Sequence, residues 1–142
     1  MLALALVYLA AGRLGLSLST VGGNVSPMWP PSGIALAALV LLGPSIWPGV
    51  LLGAWVTTTS TGAPLWVSFG TATGTTLAAG LGALLLRRLG FDHRLERIRD
   101  VVLLCAGAGA LGAIISSSVG ALCLVLGDVL PWRELGRASW VW

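Results

Sequence analysis

No side chain between residues 14 and 86 carries a charge. A water-exposed surface of that length would need charged residues, whereas the hydrocarbon of a bilayer accepts their absence. Inside this stretch, Asn24-Val25-Ser26-Pro27-Met28-Trp29-Pro30-Pro31-Ser32-Gly33 concentrates three prolines and a tryptophan. Tryptophan favours the headgroup level because its ring is amphipathic. The cluster therefore punctuates a membrane protein at a bilayer boundary, which excludes most soluble functions.

A helix that crosses hydrocarbon needs about 20 mostly apolar residues. Residues 1–18, 34–56, 65–86 and 101–126 supply such runs, and mean hydropathy is +0.94. The expected fold class is all-α: one polytopic transmembrane helical bundle over residues 1–142. It would have about four to five membrane helices, two of them short, plus the start of another. Residues 138–142 resume an apolar run and stop, so the domain reads as truncated, with no output domain after it. Residues 1–18 lack the basic start of a secretory signal, because Arg13 follows the apolar run. They read as a retained first helix.

The eight cations are all arginines, and Arg87, Arg88, Arg94, Arg97 and Arg99 fall in one short loop with Asp92, Glu96 and Asp100. A nucleic-acid partner would call for a broader basic face, so none is expected. The positive-inside rule places this loop in the cytoplasm. Residues 34–56 are interrupted by Gly43-Pro44 and Trp47-Pro48-Gly49. One kinked span and two short helices with a turn at 43–47 both fit, and an interfacial Trp47 favours the turn. Two helices put the N-terminus inside; one span puts it outside.

Gly70, Gly74, Ala78 and Gly82 recur every fourth residue, as do Ala108, Gly112, Ser116 and Gly120. Such stripes let helix backbones approach closely, so these two helices are expected to pack together. Ser68, Thr71, Thr73, Thr75 and Thr76 form a hydroxyl patch, preceded by the run from Thr57 to Thr61. Membrane hydroxyls usually bond back to their own helix, and a hydroxyl-lined solute pocket is the minority reading. Arg13 lies near a helix end, where snorkelling to headgroups is favoured over a buried ligand-binding role.

Catalysis finds little support. The only histidine, His93, has no second ligand beside it, and a zinc site wants three or four. Cys105 and Cys123, 18 residues apart on one helix, would be separated by about 27 Å, beyond the ~7 Å reach of a disulfide. No phosphate-binding loop of Walker type occurs. The chain is expected not to be an enzyme and to need no cofactor.

The cluster from Asn24 to Gly33, then Leu42-Gly43 and Trp47-Pro48-Gly49 with Gly53, resembles the membrane-associated sensor domain of the first type, the MASE family. Thr61-Gly62-Ala63-Pro64-Leu65 and the segment from Leu81 to Arg88 continue the likeness over almost the whole chain. The resemblance implies a bacterial inner-membrane bundle placed before a cytoplasmic histidine kinase or cyclic-di-GMP enzyme, as in two-component systems. Its implied partners are the lipid bilayer and that output domain, and a homodimer is a candidate assembly. Asn24, Trp29, Pro30, Pro31, Gly33, Trp47, Pro48 and Gly49 would shape the sensing region. Family members often carry Asn and Glu where this chain has Thr75 and Ala78, which weakens any polar site built there. The alternative function is half of a transporter or a membrane scaffold, since interrupted helices also mark transporters.

Overall fold

Proline and glycine set the helix boundaries. The computed structural model describes residues 2–17, 30–92 and 97–141, and every regular element among them is helical. Helix α1 is Leu2–Leu16 and α2 is Pro30–Leu41. Pro30 and Pro31 occupy the first turn of α2, where a missing N–H costs nothing. The helix thus begins four residues before the apolar run that starts at residue 34. After Leu41, Gly43 takes a φ of 101°, which L side chains rarely adopt, and Pro44–Ile46 makes one 3-10 turn. Helix α3, Trp47–Thr59, follows with Pro48 in its first turn. The 34–56 segment is therefore two short helices.

Gly62, at φ 83°, leads to Pro64 and then to α4, Leu65–Arg88. Helix α4 closes on Gly90, at φ 68°: the Phe91 N–H donates to the Leu86 carbonyl at 3.0 Å and the Gly90 N–H to Arg87 at 3.2 Å. This is the paired-bond ending that glycine permits. The next helical arm runs Ile98–Leu126 without a break but changes its winding. It comprises α5 (Ile98–Val102), a π-helical segment (Leu103–Ala110) and α6 (Leu111–Leu126). A plain helix over 101–126 was the expectation; the wider winding is the difference. A turn through Asp128 and a 3-10 turn at Trp132–Glu134 lead to α7, Leu135–Val141.

Packing gives each helix a direction. Adding a Cβ to Gly12 would strike Thr57, and one on Gly53 would lie 2.8 Å from the Tyr8 Cβ, so α1 and α3 run parallel. Gly70, Gly74 and Gly82 of α4 face Cys123, Val119 and Ala108, so the long arm runs antiparallel to α4. The expected pairing of the two small-residue helices is present. Val119 and Cys123, rather than the neighbouring Ser116 and Gly120, fill the hollows at Gly74 and Gly70. Helix α2 lies beside α4 and parallel to it, with Leu36 against Gly82 and the Leu39 carbonyl near Arg87.

Helix α4 is the axis of this arrangement. Tyr8, Ala35, Leu39, Val50, Ala54, Ala72, Ala79 and Ala83 form one buried cluster drawn from α1 to α4. Val67, Ala121, Leu124, Val125 and Leu130 form a second, between α4 and the end of α6. Mostly small side chains allow close backbone contact, where dispersion rather than water release stabilises helix pairs in lipid. Helix α4, at 24 residues, and the 29-residue arm are each long and apolar enough to cross a membrane.

Candidate functional site

Helix α2 and the π-helical segment both pack on α4 rather than on each other. The space between them is a cavity of about 170 Å³, lined by Ser32, Gly33 and Leu36 of α2, Thr75, Ala78 and Ala79 of α4, and Ala108 to Ser116 of the arm. It continues toward the arginine end as an apolar groove of about 440 Å³, bordered by Gly33, Val40, Leu86, Phe91, Leu104 and Cys105. The prolines of α2 fix where its first turn sits, and the glycines and alanines of α4 and the arm leave the room. A Cβ on Gly33 would meet nothing within 4 Å.

The cavity lies half-way along α4. Thr75 stands ten residues from Leu65 and thirteen from Arg88, about 15 and 20 Å along the axis. Helix α2 thus starts in the middle of the bundle. Its C-terminal end is held by Arg87, whose Nη2 donates to the Leu39 carbonyl at 3.0 Å and to Val40 at 3.1 Å. These are last-turn carbonyls with no helical partner. Arg99 does the same for α4 through Leu89, at 2.7 Å. Asp100 is buried, and its Oδ1 accepts from the Asp92 N–H at 3.4 Å.

The threonine hydroxyls behave as expected. Thr57, Thr71, Thr75 and Thr76 donate to carbonyls three or four residues back at 2.7–3.0 Å. Ser68 reaches Ala63 at 3.4 Å and Ser117 reaches Ile114 at 3.2 Å. Ser116, only 8% exposed, lies on the cavity wall.

The residues singled out in the sequence do not form one cluster. Pro30, Pro31 and Gly33 lie at the cavity end of α2. Trp47, Pro48 and Gly49 begin α3 at its other end, beyond a twelve-residue helix, about 18 Å away. Trp47 is exposed and Gly49 is buried. Asn24, Trp29 and Arg94 lie outside the described residues. Arg88 and Arg97 are exposed, while Arg87 and Arg99 act as helix caps. Among the described residues no three metal-ligating side chains come together.

The family model for MASE1 matches residues 1–142, the full length given. The chain is a MASE1 domain. MASE1 is a family of membrane-associated sensor domains, sensory rather than catalytic. No curated protein and no solved structure matches the chain. The cavity is thus a feature of a membrane sensor domain, and Thr75 and Ala78 both stand on its wall.

Proposed function

We propose that this MASE1 domain is a multi-pass input module of the bacterial inner membrane, with its arginine end in the cytoplasm. Changes in how α2 and the π-helical segment sit on α4 would be passed to a cytoplasmic histidine kinase or cyclic-di-GMP enzyme. Three features support the placement. Arg87 and Arg88 close α4, and Arg97 and Arg99 begin the next arm, at one end of the bundle. Exposed Trp47 lies at that end, whereas exposed Trp66 and Trp132 lie at the other, the distribution of interfacial anchors. Helix α4, at 24 residues, is about 36 Å long, enough to span the hydrocarbon. The parallel pairing of α1 with α3 then puts the N-terminus on the cytoplasmic side.

The observation that carries the sensing reading is the open cavity between two helices that share one support. A ligand, or the surrounding lipid, shifts such a system only by favouring one packing over another. π-Helical winding inside an α-helix often marks functional sites, and here it forms one wall. The test is to express the domain with its cytoplasmic output and replace Gly33, where a Cβ meets nothing within 4 Å, with Leu to fill the cavity mouth. Basal output is expected to change at equal membrane abundance. Unchanged basal output and unchanged response would contradict the reading. Asn24→Ala and Trp29→Ala in the same format test the rest of the cluster.

A further inference from the structure

We propose that an apolar groove between α4 and α6 seats one acyl chain of an anionic phospholipid from the arginine-side leaflet, with Arg88 holding its phosphate. No residue of α2 lines this groove, so it is a different space from the cavity between α2 and the π-helical segment. The proposal rests on the bilayer placement of the arginine end and not on the sensing reading.

Length comes first. The groove, of about 280 Å³, runs along α4 from Ala78 to Arg88 and is bordered on its other side by Leu111, Gly112 and Ile115 of α6. Ten residues of helix rise about 15 Å, half of the roughly 30 Å of hydrocarbon in a bilayer. The groove therefore begins near the middle of the membrane and ends at one headgroup level, the depth of a single leaflet. Its shape follows from the side chains. Leu81, Leu84 and Leu111 stand half-exposed on the walls, while Gly112 has no side chain to fill the space between them. A Cβ there would make ordinary contact with the Ala78 carbonyl oxygen, at 3.9 Å. The two helices touch at Gly74 and Gly82, through Val119 and Ala108, so the depression beside their seam is narrow and takes one chain.

Charge selects the headgroup. Arg88 is the one charged side chain among the described residues that line the groove, and it is exposed at the last position of α4. Arg87 and Arg99 give donors to the carbonyls of Leu39, Val40 and Leu89, so Arg88 has a different setting from its neighbours. A cation at a helix C-terminus is favoured by the dipole. That accounts for an arginine here, but not for an apolar groove one leaflet deep that leads up to it. Residues 87–100 hold five arginines against Asp92, Glu96 and Asp100. This positive excess favours a headgroup of net negative charge over a zwitterionic one, and basic pockets between membrane helices bind anionic headgroups by this chemistry. A guanidinium meets phosphate oxygens with paired donors, and its aliphatic stem continues the apolar wall.

The full chain is placed in phosphatidylcholine nanodiscs with a trace of phosphatidylglycerol or phosphatidylcholine spin-labelled near the end of one acyl chain. Electron spin resonance then measures the motionally restricted fraction of each. Phosphatidylglycerol is expected to associate about fivefold more strongly than phosphatidylcholine, and added salt should weaken that preference. Arg88→Gln should bring it down to the phosphatidylcholine level, and Arg88→Lys, which keeps the charge, should retain most of it. Arg133→Gln, exposed at the opposite end of the bundle, should leave it unchanged. Gly112→Leu should abolish the preference by filling the groove, and Ile115→Phe serves as a second filling variant should Gly112→Leu fail to fold. Equal association of the two lipids with the wild-type chain would overturn the proposal. So would a preference that Arg88→Gln and Arg133→Gln reduce alike, which marks diffuse attraction rather than a site. Selection of spin-labelled stearate over phosphatidylglycerol would assign the groove to a single-chain carboxylate and overturn it too. Insertion is measured on the same discs by labelling single cysteines at both ends of α4. A chain that spans without lipid preference rejects the lipid site alone, whereas a chain that does not span rejects the bilayer placement beneath it.

Discussion

The two flanks of α4 are built differently. On one, α1 and α3 meet through Gly12 and Gly53, where an added Cβ would collide with the Thr57 side chain or the Tyr8 Cβ. On the other, the long arm meets α4 through Gly70 and Gly74, where the nearest atoms are the Cys123 sulfur and a Val119 methyl. Gly53 meets the stem of Tyr8 and the Ala5 backbone, which cannot turn away, whereas Gly70 meets the Cys123 sulfur, which can; Gly12 and Gly74 alike meet a β-branched side chain, Thr57 or Val119. The arm is also less covered than the axis it packs on. Half of the apolar window of α4 is buried, against a third for the arm. The π-helical segment and the cavity both lie on the looser flank. A sensor needs one part that holds still and one that has two positions within reach, and these flanks divide that work.

Substitutions at the two glycine pairs break or sharpen this contrast. Gly53→Val is expected to destabilise the domain by about 3 kcal/mol, since α1 must move away from α3. Gly70→Ala should cost less than about 1 kcal/mol, because the Cys123 side chain can rotate. Reversible unfolding in micelles measures both, and equal effects would remove the distinction. Hydrogen exchange gives a second comparison without mutation. Amides of Leu103–Ala110 should open at about 2 kcal/mol lower cost, roughly 30-fold faster, than those in the centre of α4.

Helix ends give smaller effects. Arg87→Ala should lose about 1.5 kcal/mol, since two carbonyls of α2 forfeit a charged donor, whereas Arg88→Ala should be nearly neutral. A thermal-stability comparison of the two variants separates a cap from a topology signal. The smallest expected change is a gain. Asp128 holds φ 55° at the end of α6, where the Val129 N–H donates to Leu124 at 3.0 Å. Glycine is favoured there and a negative charge is not, so Asp128→Gly should stabilise by about 0.5–1 kcal/mol.

Much of this was legible in the sequence. The charge-free stretch, the glycine-proline interruption at 43–49 and the four-residue spacing from Gly70 to Gly82 each state a local physical requirement, and each is met. Back-bonding of the threonines likewise follows from the side chain alone. What was not legible depends on distant partners. Arg87 read as a topology signal because nothing near it in sequence reveals that α2 ends beside it. Gly53 read as part of a motif, since its collision partner Tyr8 lies on another helix. Ser116 fell in a packing stripe, and only the position of α2 shows that it lines a cavity. The π winding of Leu103–Ala110 has no mark in its composition that distinguishes it from an α-helix rich in alanine and glycine.

The central claim is that lipid is the solvent, with α2 and α3 forming a pair of short helices whose turn shares a side with the arginine loop. Single cysteines at Ser45, Thr61, Asp92 and Asp128, on a background with Cys105→Ser and Cys123→Ser, test this with a membrane-impermeant maleimide. Ser45→Cys and Asp92→Cys should react only after the cells are opened, while Thr61→Cys and Asp128→Cys should react in intact cells with a permeabilised outer membrane. Labelling of Asp92→Cys from outside, or of Ser45→Cys and Thr61→Cys from the same side, would contradict the arrangement.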